Sequence, residues 1–487
     1  MNPMLGMLLQ QGLAAWQGGK PDQARLLFNA VLQMDARNFD ALHLLGLMAA
    51  DSGRHEEAIA LYERALGAAP REAQALLNMA SSLRRLKRHE DALMQLDAAL
   101  RLAPGMAEAH HNRGNVLREM GRAEEALLDF ARALQIVPND ADCHEARGTA
   151  LFALGRFDEA HAAFAAALAL RPGHPNARWN ASLLALLQGD LPAAWEGYEA
   201  GGEVGTRDIR RNFGKPVWRG TTPLAGQRIL LHAEQGLGDT LQFCRYARRV
   251  KDAGAAEVIL EVQAPLRRLL DGLDGVDRLC VRGEALPAFD LSCPLLSLPA
   301  CFGSTLADLP PPARFPQAAQ AEQISSARPR IALVWSGNPE HVNDRERSLP
   351  LRALKPLFDA DLPVQWVSLQ LNPRPEDAVC MQTQACLEDA THALQDFADT
   401  ARRLQDVTLL ISADTAVAHL AASLGKPVWL LLPPVPDWRW LLGREDSPWY
   451  PTMRLFRRTQ GESWHNVVEE RLLPALCSRL TQGERNV

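Results

Sequence analysis

The fold of the second half of the chain is decided by LLISADTAVAHLAASLGKPVWLLLP, Leu409–Pro433. One apolar run of strand length ends at Asp414 and Thr415, and a second begins after Gly425. Small apolar residues at helical spacing fill the interval, and glycine commonly follows the last residue of a helix. The stretch therefore predicts a strand, a helix and a parallel strand. His419 falls one turn inside that helix.

The start of this predicted helix carries the polar residues. A helix N-terminus presents unpaired N–H groups and about half a positive charge, which suits a diphosphate. Asp414 and Thr415 would lie at that terminus. His419 has two interpretations from the residues alone: a side chain that contacts the bound group, or a histidine hydrogen-bonded inside the core.

Strand and helix patterns alternate on either side of this stretch. RILLHAEQGLGDTLQFCRYARRVKDAGAAEVILEV, residues 228–262, predicts a βαβ unit, and DRLCVR and FDLSCPLLSLP predict further strands. A second alternation runs through RIALVWSG, LRALKPLF, QWVSLQ, VTLLIS and PVWLLLP, and SWHNVVEERLLPALCSRL predicts a last helix. We expect Rossmann-like domains at 206–312 and 329–487, joined by a linker rich in Pro and Ala at 313–328.

The loop HAEQGLGDTLQF, residues 232–243, follows the first of these strands, where ligands bind in open α/β sheets. A dinucleotide fingerprint would need a third glycine where Leu241 stands, so a nicotinamide cofactor is not expected. Asp239 begins the next helix, where a carboxylate can act as a helix cap, and the spacing alone does not decide its role. Gln235, Gly238 and Gln242 flank it and are candidates for holding an acceptor.

The first two hundred residues are periodic. Pro70, Pro104, Pro138 and Pro172 recur every 34 residues, and each ends a helix because proline cannot continue one. Position 8 of each unit is small, position 24 is bulky, and positions 20 and 27 are alanine. In the same units, position 8 is Gly46, Ala80, Gly114 and Gly148, and position 24 is Tyr62, Leu96, Phe130 and Phe164.

This pattern resembles the tetratricopeptide repeat over about residues 5 to 205, and we assign residues 1–205 to a repeat superhelix. Such arrays are helical solenoids with a concave binding surface. Asn78, Asn112 and Asn180 recur at position 6, which faces that groove. They either bind the backbone of a peptide, as the similar ladder in protein O-GlcNAc transferases does, or are solvated polar residues.

The two loops of the second half resemble those of the heptosyltransferase-type glycosyltransferases, family nine, over about residues 226 to 475. DTAVAHLAASLGKPV is similar to that family's donor-binding motif, with Ala416 in place of its glycine, and matches it at Asp414, Thr415 and His419. The loop that ends in Gly238 and Asp239 resembles the turn that carries the family's general base. The resemblance implies a GT-B architecture of two Rossmann-like domains, with Asp239 as base.

Two further segments contain residues that would line the same predicted ligand-binding cleft. VWSGNPEHVNDRERSLPL supplies Gly337, Asn338, Arg345 and Arg347, a locally basic loop that either binds phosphate or is a solvated charged loop. Gln370 ends a predicted strand and would contact the base of the donor nucleotide. Four aromatic residues share one loop region and either stack on a base or sugar or pack in a core or hinge: Trp438, Trp440, Trp449 and Tyr450.

Composition excludes several classes of protein. The net charge of −6 disfavours a general nucleic-acid binder. Eight dispersed cysteines without CxxC spacing predict no metal site and fit a reducing cytoplasm. No apolar segment is long enough to span a membrane. We therefore expect a cytoplasmic protein that needs no cofactor or metal.

Together these features predict a glycosyltransferase that moves a sugar from a nucleotide-sugar to a hydroxyl group, on a protein recruited by the repeats. Inversion at the sugar carbon is expected through the family resemblance. Two alternatives stay open. One is a lipopolysaccharide-type glycosyltransferase, and the other is a tetratricopeptide scaffold whose transferase domain no longer reacts.

Overall fold

A computed structural model describes residues 3–208, 211–318, 328–340 and 343–484. The chain divides into two compact units, residues 1–177 and 178–487. The predicted linker 313–328 lies largely outside the described residues, since 319–327 are not described. Its first part contains buried side chains, among them Ala313, Phe315 and Ala318.

The first unit is an array of antiparallel helix pairs, and one more pair follows it in the second unit. The boundary at residue 177 lies within the eleventh helix. The helices are α1 Pro3–Gln17, α2 Pro21–Met34, α3 Phe39–Asp51, α4 His55–Ala68, α5 Ala73–Arg85, α6 His89–Leu102, α7 Ala107–Glu119, α8 Ala123–Ile136, α9 Ala141–Ala153, α10 Phe157–Leu170, α11 Pro175–Gln188 and α12 Leu191–Tyr198.

Each pair is held by close contact between positions 8 and 24 of the repeat. A Cβ atom added at Gly114 would lie 2.6 Å from Cε1 of Phe130, far inside van der Waals contact. Gly12, Gly46 and Gly148 meet the ring at position 24 of their own units in the same way. In the third repeat both positions differ together: Ala80 replaces the glycine and Leu96 replaces the aromatic ring, and both residues are buried.

The second unit contains two parallel sheets. Strands β1 Arg228–His232, β2 Glu257–Val262, β3 Arg278–Val281 and β4 Leu291–Pro294 form the first. Strands β5 Arg330–Val334, β6 Gln365–Ser368, β7 Leu387–Asp389, β8 Leu409–Ala413, β9 Val428–Leu432 and β10 Met453–Arg457 form the second.

The order of the strands identifies the topology. The first sheet runs β3-β2-β1-β4, and the second runs β7-β6-β5-β8-β9-β10. Counted within the second sheet, this is the 3-2-1-4-5-6 order of doubly wound α/β folds. The first sheet has the opening 3-2-1-4 of the same order. In each sheet the order of the strands therefore reverses at one point, which lies between β1 and β4 in the first sheet and between β5 and β8 in the second.

Helices and short turns connect these strands. The α-helices are α13 Leu237–Phe243, α14 Ala247–Asp252, α15 Leu298–Cys301, α16 Asp344–Arg347, α17 Lys355–Asp359, α18 Pro375–Thr383, α19 Phe397–Gln405, α20 Ala416–Ser423, α21 Trp464–Val467 and α22 Leu473–Glu484. A π-helical segment, Val468–Leu472, joins the last two into one closing helix. Trp464, Val468 and Leu472 bury it against the core of the second sheet.

Candidate functional site

The candidate site lies where the strand order of each sheet reverses. In open parallel sheets, ligands bind outside the carboxyl ends of the strands at such a switch point. The loop after β1 leads into α13, and the loop after β8 leads into α20. These two helices pack directly on each other. A Cβ atom at Gly238 would lie 3.0 Å from Cδ2 of His419 and 3.4 Å from Cα of Ala416.

Asp239 lies at this contact with both carboxylate oxygens engaged. Oδ2 accepts a 2.8 Å hydrogen bond from the backbone N–H of Gly236, the residue before α13. Oδ1 accepts one from Nη2 of Arg439 at 2.5 Å. The side chain retains 22% exposure. The capping role that the sequence left open is therefore present, together with an ion pair that sequence reasoning missed.

Arg439 connects the two helices to the loop after β9. Its guanidinium is buried, donates to Oε1 of Gln242 and Oδ1 of Asp437, and lies 4.5 Å from the ring centroid of Trp438. Burial alone would lower the pKa of Arg439. The carboxylates of Asp437 and Asp239 outweigh that effect, so the pKa is raised and the group stays charged.

The predicted acceptor residues separate into two groups. Gln235 is partly exposed, and its Nε2 donates to the backbone oxygen of Thr206 at 3.1 Å. Gly238 fits the close approach to α20. Gln242 is fully buried against Arg439, so its prediction as an acceptor contact is not supported by its position. It holds the arginine instead.

Asp414 lies just before α20, with 16% of its side chain exposed. Its Oδ2 accepts a 2.9 Å hydrogen bond from the indole Nε1 of Trp440. Burial, and then the nearby carboxylate of Asp437, raises the pKa of Asp414 to about 6. The hydrogen bond and the charges of Arg347 and Arg439 act in the opposite direction and are too weak to offset it.

Thr415 and His419 form the start and first turn of α20. Thr415 is the residue before the helix, with its Oγ1 3.1 Å from Oγ of Ser412. His419 is 5% exposed, and its Nδ1 lies 3.0 Å from the hydroxyl oxygen of Tyr450. Burial, reinforced by the charge of Arg439, places the pKa of His419 well below its usual value. The imidazole is therefore neutral and hydrogen-bonded inside the protein.

The basic loop after β5 approaches α20 through one arginine. Arg347 lies against Gly337, where a Cβ atom would meet its Nη2 at 2.5 Å, and its charge acts on Asp414. Asn338 is exposed and accepts the N–H of Glu340 at 3.1 Å. Arg345 is exposed on α16. Residues 341 and 342 of the predicted loop lie outside the described residues.

Gln370 is enclosed by protein groups. It is 4% exposed, and its Oε1 accepts the N–H groups of Trp335 and Ser336 at 3.0 and 2.9 Å. Its Nε2 donates to the backbone oxygen of Leu371. The prediction that Gln370 meets a base is not supported, because the side chain is used to hold the loop that carries Gly337.

The aromatic cluster is core. Trp438, Trp440, Trp449 and Tyr450 are at most 5% exposed. Trp438 packs edge to face on Trp449, with ring centroids 5.8 Å apart. Of the interpretations left open by the sequence, core packing is the one that this burial supports.

The predicted asparagine contacts divide between the two units. In the first unit, Nδ2 of Asn78 lies 2.9 Å from Nε2 of His43, and Nδ2 of Asn112 donates to Oγ of Ser81 at 3.3 Å. All four side chains project from the first helices of consecutive pairs. Asn180 belongs to the second unit and is partly buried.

Tetratricopeptide repeat models match residues 9–73, 71–139 and 105–173, so the predicted repeats are confirmed there. Repeats of this kind provide surfaces for protein partners. Among curated proteins, Protein FlbA of Caulobacter vibrioides is 26% identical over 340 residues, which cover 61% of this chain and 55% of the relative. The chain thus spans about half the length of the curated relative it matches.

Similar solved structures cover about a third to two fifths of the chain. They include MamA, at 24% identity over 35% of this chain and 94% of the other, with a TM-score of 0.32. Pseudomonas aeruginosa PilF matches at 21% identity over 41% and 91%, with a TM-score of 0.38. No helix among the described residues combines the length and apolar character needed to cross a bilayer.

Proposed function

We propose that this protein is a glycosyltransferase of GT-B architecture, with a nucleotide-sugar at the start of α20 and a hydroxyl acceptor beside Asp239. The observation that carries the proposal is the contact between Gly238 and His419. That contact brings the strand-end loops of the two sheets together. A carboxylate from one sheet then adjoins a helix N-terminus from the other.

The donor side has the chemistry that a diphosphate needs. The first N–H groups of α20 have no acceptor within the helix, and its positive end points out of the sheet. Arg347 adds a guanidinium whose donors match phosphate oxygens. In a site shielded from water, these groups stabilise the charge that develops on the leaving diphosphate. No metal ion is required for that role.

On the acceptor side, the proposed step moves one proton and exchanges one bond. The acceptor oxygen attacks the sugar carbon, the bond from that carbon to the diphosphate oxygen breaks, and the hydroxyl proton passes to Asp239. Arg439 fixes Asp239 by the 2.5 Å contact, and Gln242 and Asp437 fix Arg439. Asp239 must exchange one of its present contacts to take the proton.

The repeats would recruit the proposed acceptor. A tetratricopeptide array provides an extended groove, and Asn78 and Asn112 place amide groups on the first helices. We therefore propose a polypeptide acceptor. A lipopolysaccharide-type acceptor is the alternative with the same chemistry. Incubation of the protein with a nucleotide-sugar and either a cell lysate or a lipid A core distinguishes the two.

One observation favours a non-catalytic scaffold as the second candidate. Both oxygens of Asp239 are engaged in intramolecular contacts, which is also what a purely structural carboxylate would show. Under this alternative the second unit binds a nucleotide without turnover, or binds none. Donor binding and turnover therefore need to be measured separately.

The test of the donor site uses a panel of nucleotide-sugars and two neighbouring variants. We expect one nucleotide class to raise the melting temperature, because a ligand at about 100 times its Kd adds about 2.7 kcal/mol of stability. Arg347→Ala should weaken binding by roughly 10-fold or more, as loss of a charge-assisted contact costs about 1.5–3 kcal/mol. Arg345→Ala, on the exposed side of the same helix, is the matched control. Absence of any shift across the panel would contradict the donor site.

A further inference from the structure

A cluster of metal-binding side chains lies in the repeat array, far along the chain from the proposed transferase site. One atom each from His111, Asp140 and Cys143 lie within 4.8 Å of one another. His111 is on α7, Asp140 immediately precedes α9, and Cys143 is in the first turn of α9. The sequence predicted no metal site, because these residues have no recognisable zinc spacing.

The orientation of each side chain is compatible with coordination. Oδ1 of Asp140 accepts the N–H groups of Asp142 and Cys143 at 3.0 and 3.1 Å, which fixes the carboxylate. Its Oδ2 lies 3.8 Å from Nδ1 of His111. The thiol of Cys143 has only a long contact, 3.7 Å, to the backbone oxygen of Phe130.

The repeat itself provides the comparison. The residues equivalent to Cys143 in the second, third, fourth and sixth repeats are alanine and fully buried: Ala41, Ala75, Ala109 and Ala177. In the second repeat, His43 and Glu72 stand at the positions of His111 and Asp140. The position of Cys143 is occupied there by Ala75, which is not a metal ligand. Only at His111 do all three positions carry a metal ligand. The thiol is therefore a local addition to a position where alanine suffices for packing.

We propose that His111, Asp140 and Cys143 bind one Zn²⁺ ion, which joins the first helices of two consecutive repeats. Zn²⁺ is held at about 2.0–2.3 Å by nitrogen, oxygen and thiolate, so ligand atoms lie roughly 3.3–3.7 Å apart. The observed separations require side-chain movements of about 1 Å. On binding, the Cys143 sulfur loses its proton to solvent and forms the Zn–S bond. Three protein ligands leave the fourth position for water or a partner's side chain.

The test uses the 487-residue chain, freed of metal by a chelator and kept reduced. Titration with Co²⁺ should give one equivalent of four-coordinate d–d absorption together with a thiolate-to-cobalt charge-transfer band, and Zn²⁺ should displace both. Cys143→Ala should abolish the charge-transfer band. It should also weaken Zn²⁺ binding at least about 10-fold, since even residues that only support a ligand are worth about 10–100-fold.

Two controls test whether the cobalt signal depends on the Cys143 thiol rather than on a change in folding or on another thiol. Cys143→Ala installs the alanine found at this position in the second, third, fourth and sixth repeats, so its metal-free melting temperature should match the parent. Cys386→Ala removes an exposed thiol elsewhere and should leave the cobalt spectrum unchanged. Absence of a charge-transfer band in the parent, or its survival in Cys143→Ala, would overturn the proposal. Neither outcome depends on whether the second unit transfers sugar.

Discussion

The buried carboxyl of Asp414 predicts a stability that depends on pH in a defined direction. A carboxyl whose pKa is raised to about 6 favours the folded state fully below its unfolded pKa of about 3.9. That contribution is lost as the pH rises through 6. Relative to a carboxyl with an unshifted pKa, Asp414 then lowers the stability of the folded state by about 3 kcal/mol at pH 7.5 and by about 1 kcal/mol at pH 4.5. Asp414→Asn removes this cost and keeps an oxygen for the indole of Trp440.

We therefore expect Asp414→Asn to be more stable than the parent by up to about 3 kcal/mol at pH 7.5, and by much less at pH 4.5. Urea unfolding followed by tryptophan fluorescence measures this, since Trp16 alone of the 11 tryptophans lies outside residues 178–487. Asp446→Asn, which changes an exposed carboxyl in the loop after β9, is the control and should show no such gain. An equal gain at both pH values, or none, would refute the reasoning.

Two further predictions concern close contacts of glycine. Gly114→Ala and Phe130→Leu should each destabilise the array by about 1–3 kcal/mol, through overpacking and a cavity respectively. The double variant reproduces the Ala80 and Leu96 pair of the third repeat and should recover most of the loss in a far-UV circular dichroism melt; strict additivity would contradict this. Gly238→Val should separate α13 from α20 and abolish turnover, and a fully active variant would show that this contact is not needed.

The overall fold was largely accessible from the sequence because its signals are local. The 34-residue proline period predicted the helix pairs, and the apolar runs predicted most strands. Two strands of the second sheet were missed. Leu387–Asp389 is three residues long and carries two acids, and Met453–Arg457 alternates apolar residues with arginine at an edge. Neither resembles the continuous apolar run of a buried parallel strand.

The site was less accessible because it depends on which polar side chains are buried. Gln242 and Gln370 were predicted to meet ligands, but both are almost fully enclosed and satisfy other protein groups. Arg439 was missed because it lies between two tryptophans in a loop about 200 residues from Asp239. Its sequence signal is a charge placed among large apolar residues, where an arginine is stable only if paired.

The central claim is tested most directly by comparing Asp239→Asn with Asp437→Asn. Each variant removes one carboxylate from Arg439, and Asp239 is the one that belongs to α13, the helix packed on α20. With the nucleotide-sugar identified by the binding panel, both variants should bind the donor as the parent does. Asp239→Asn should lose about 10²–10⁴ of the transfer rate, the contribution of a general base, while Asp437→Asn should lose less than about 10-fold. Unchanged transfer by Asp239→Asn, or equal losses in the two variants, would contradict the account.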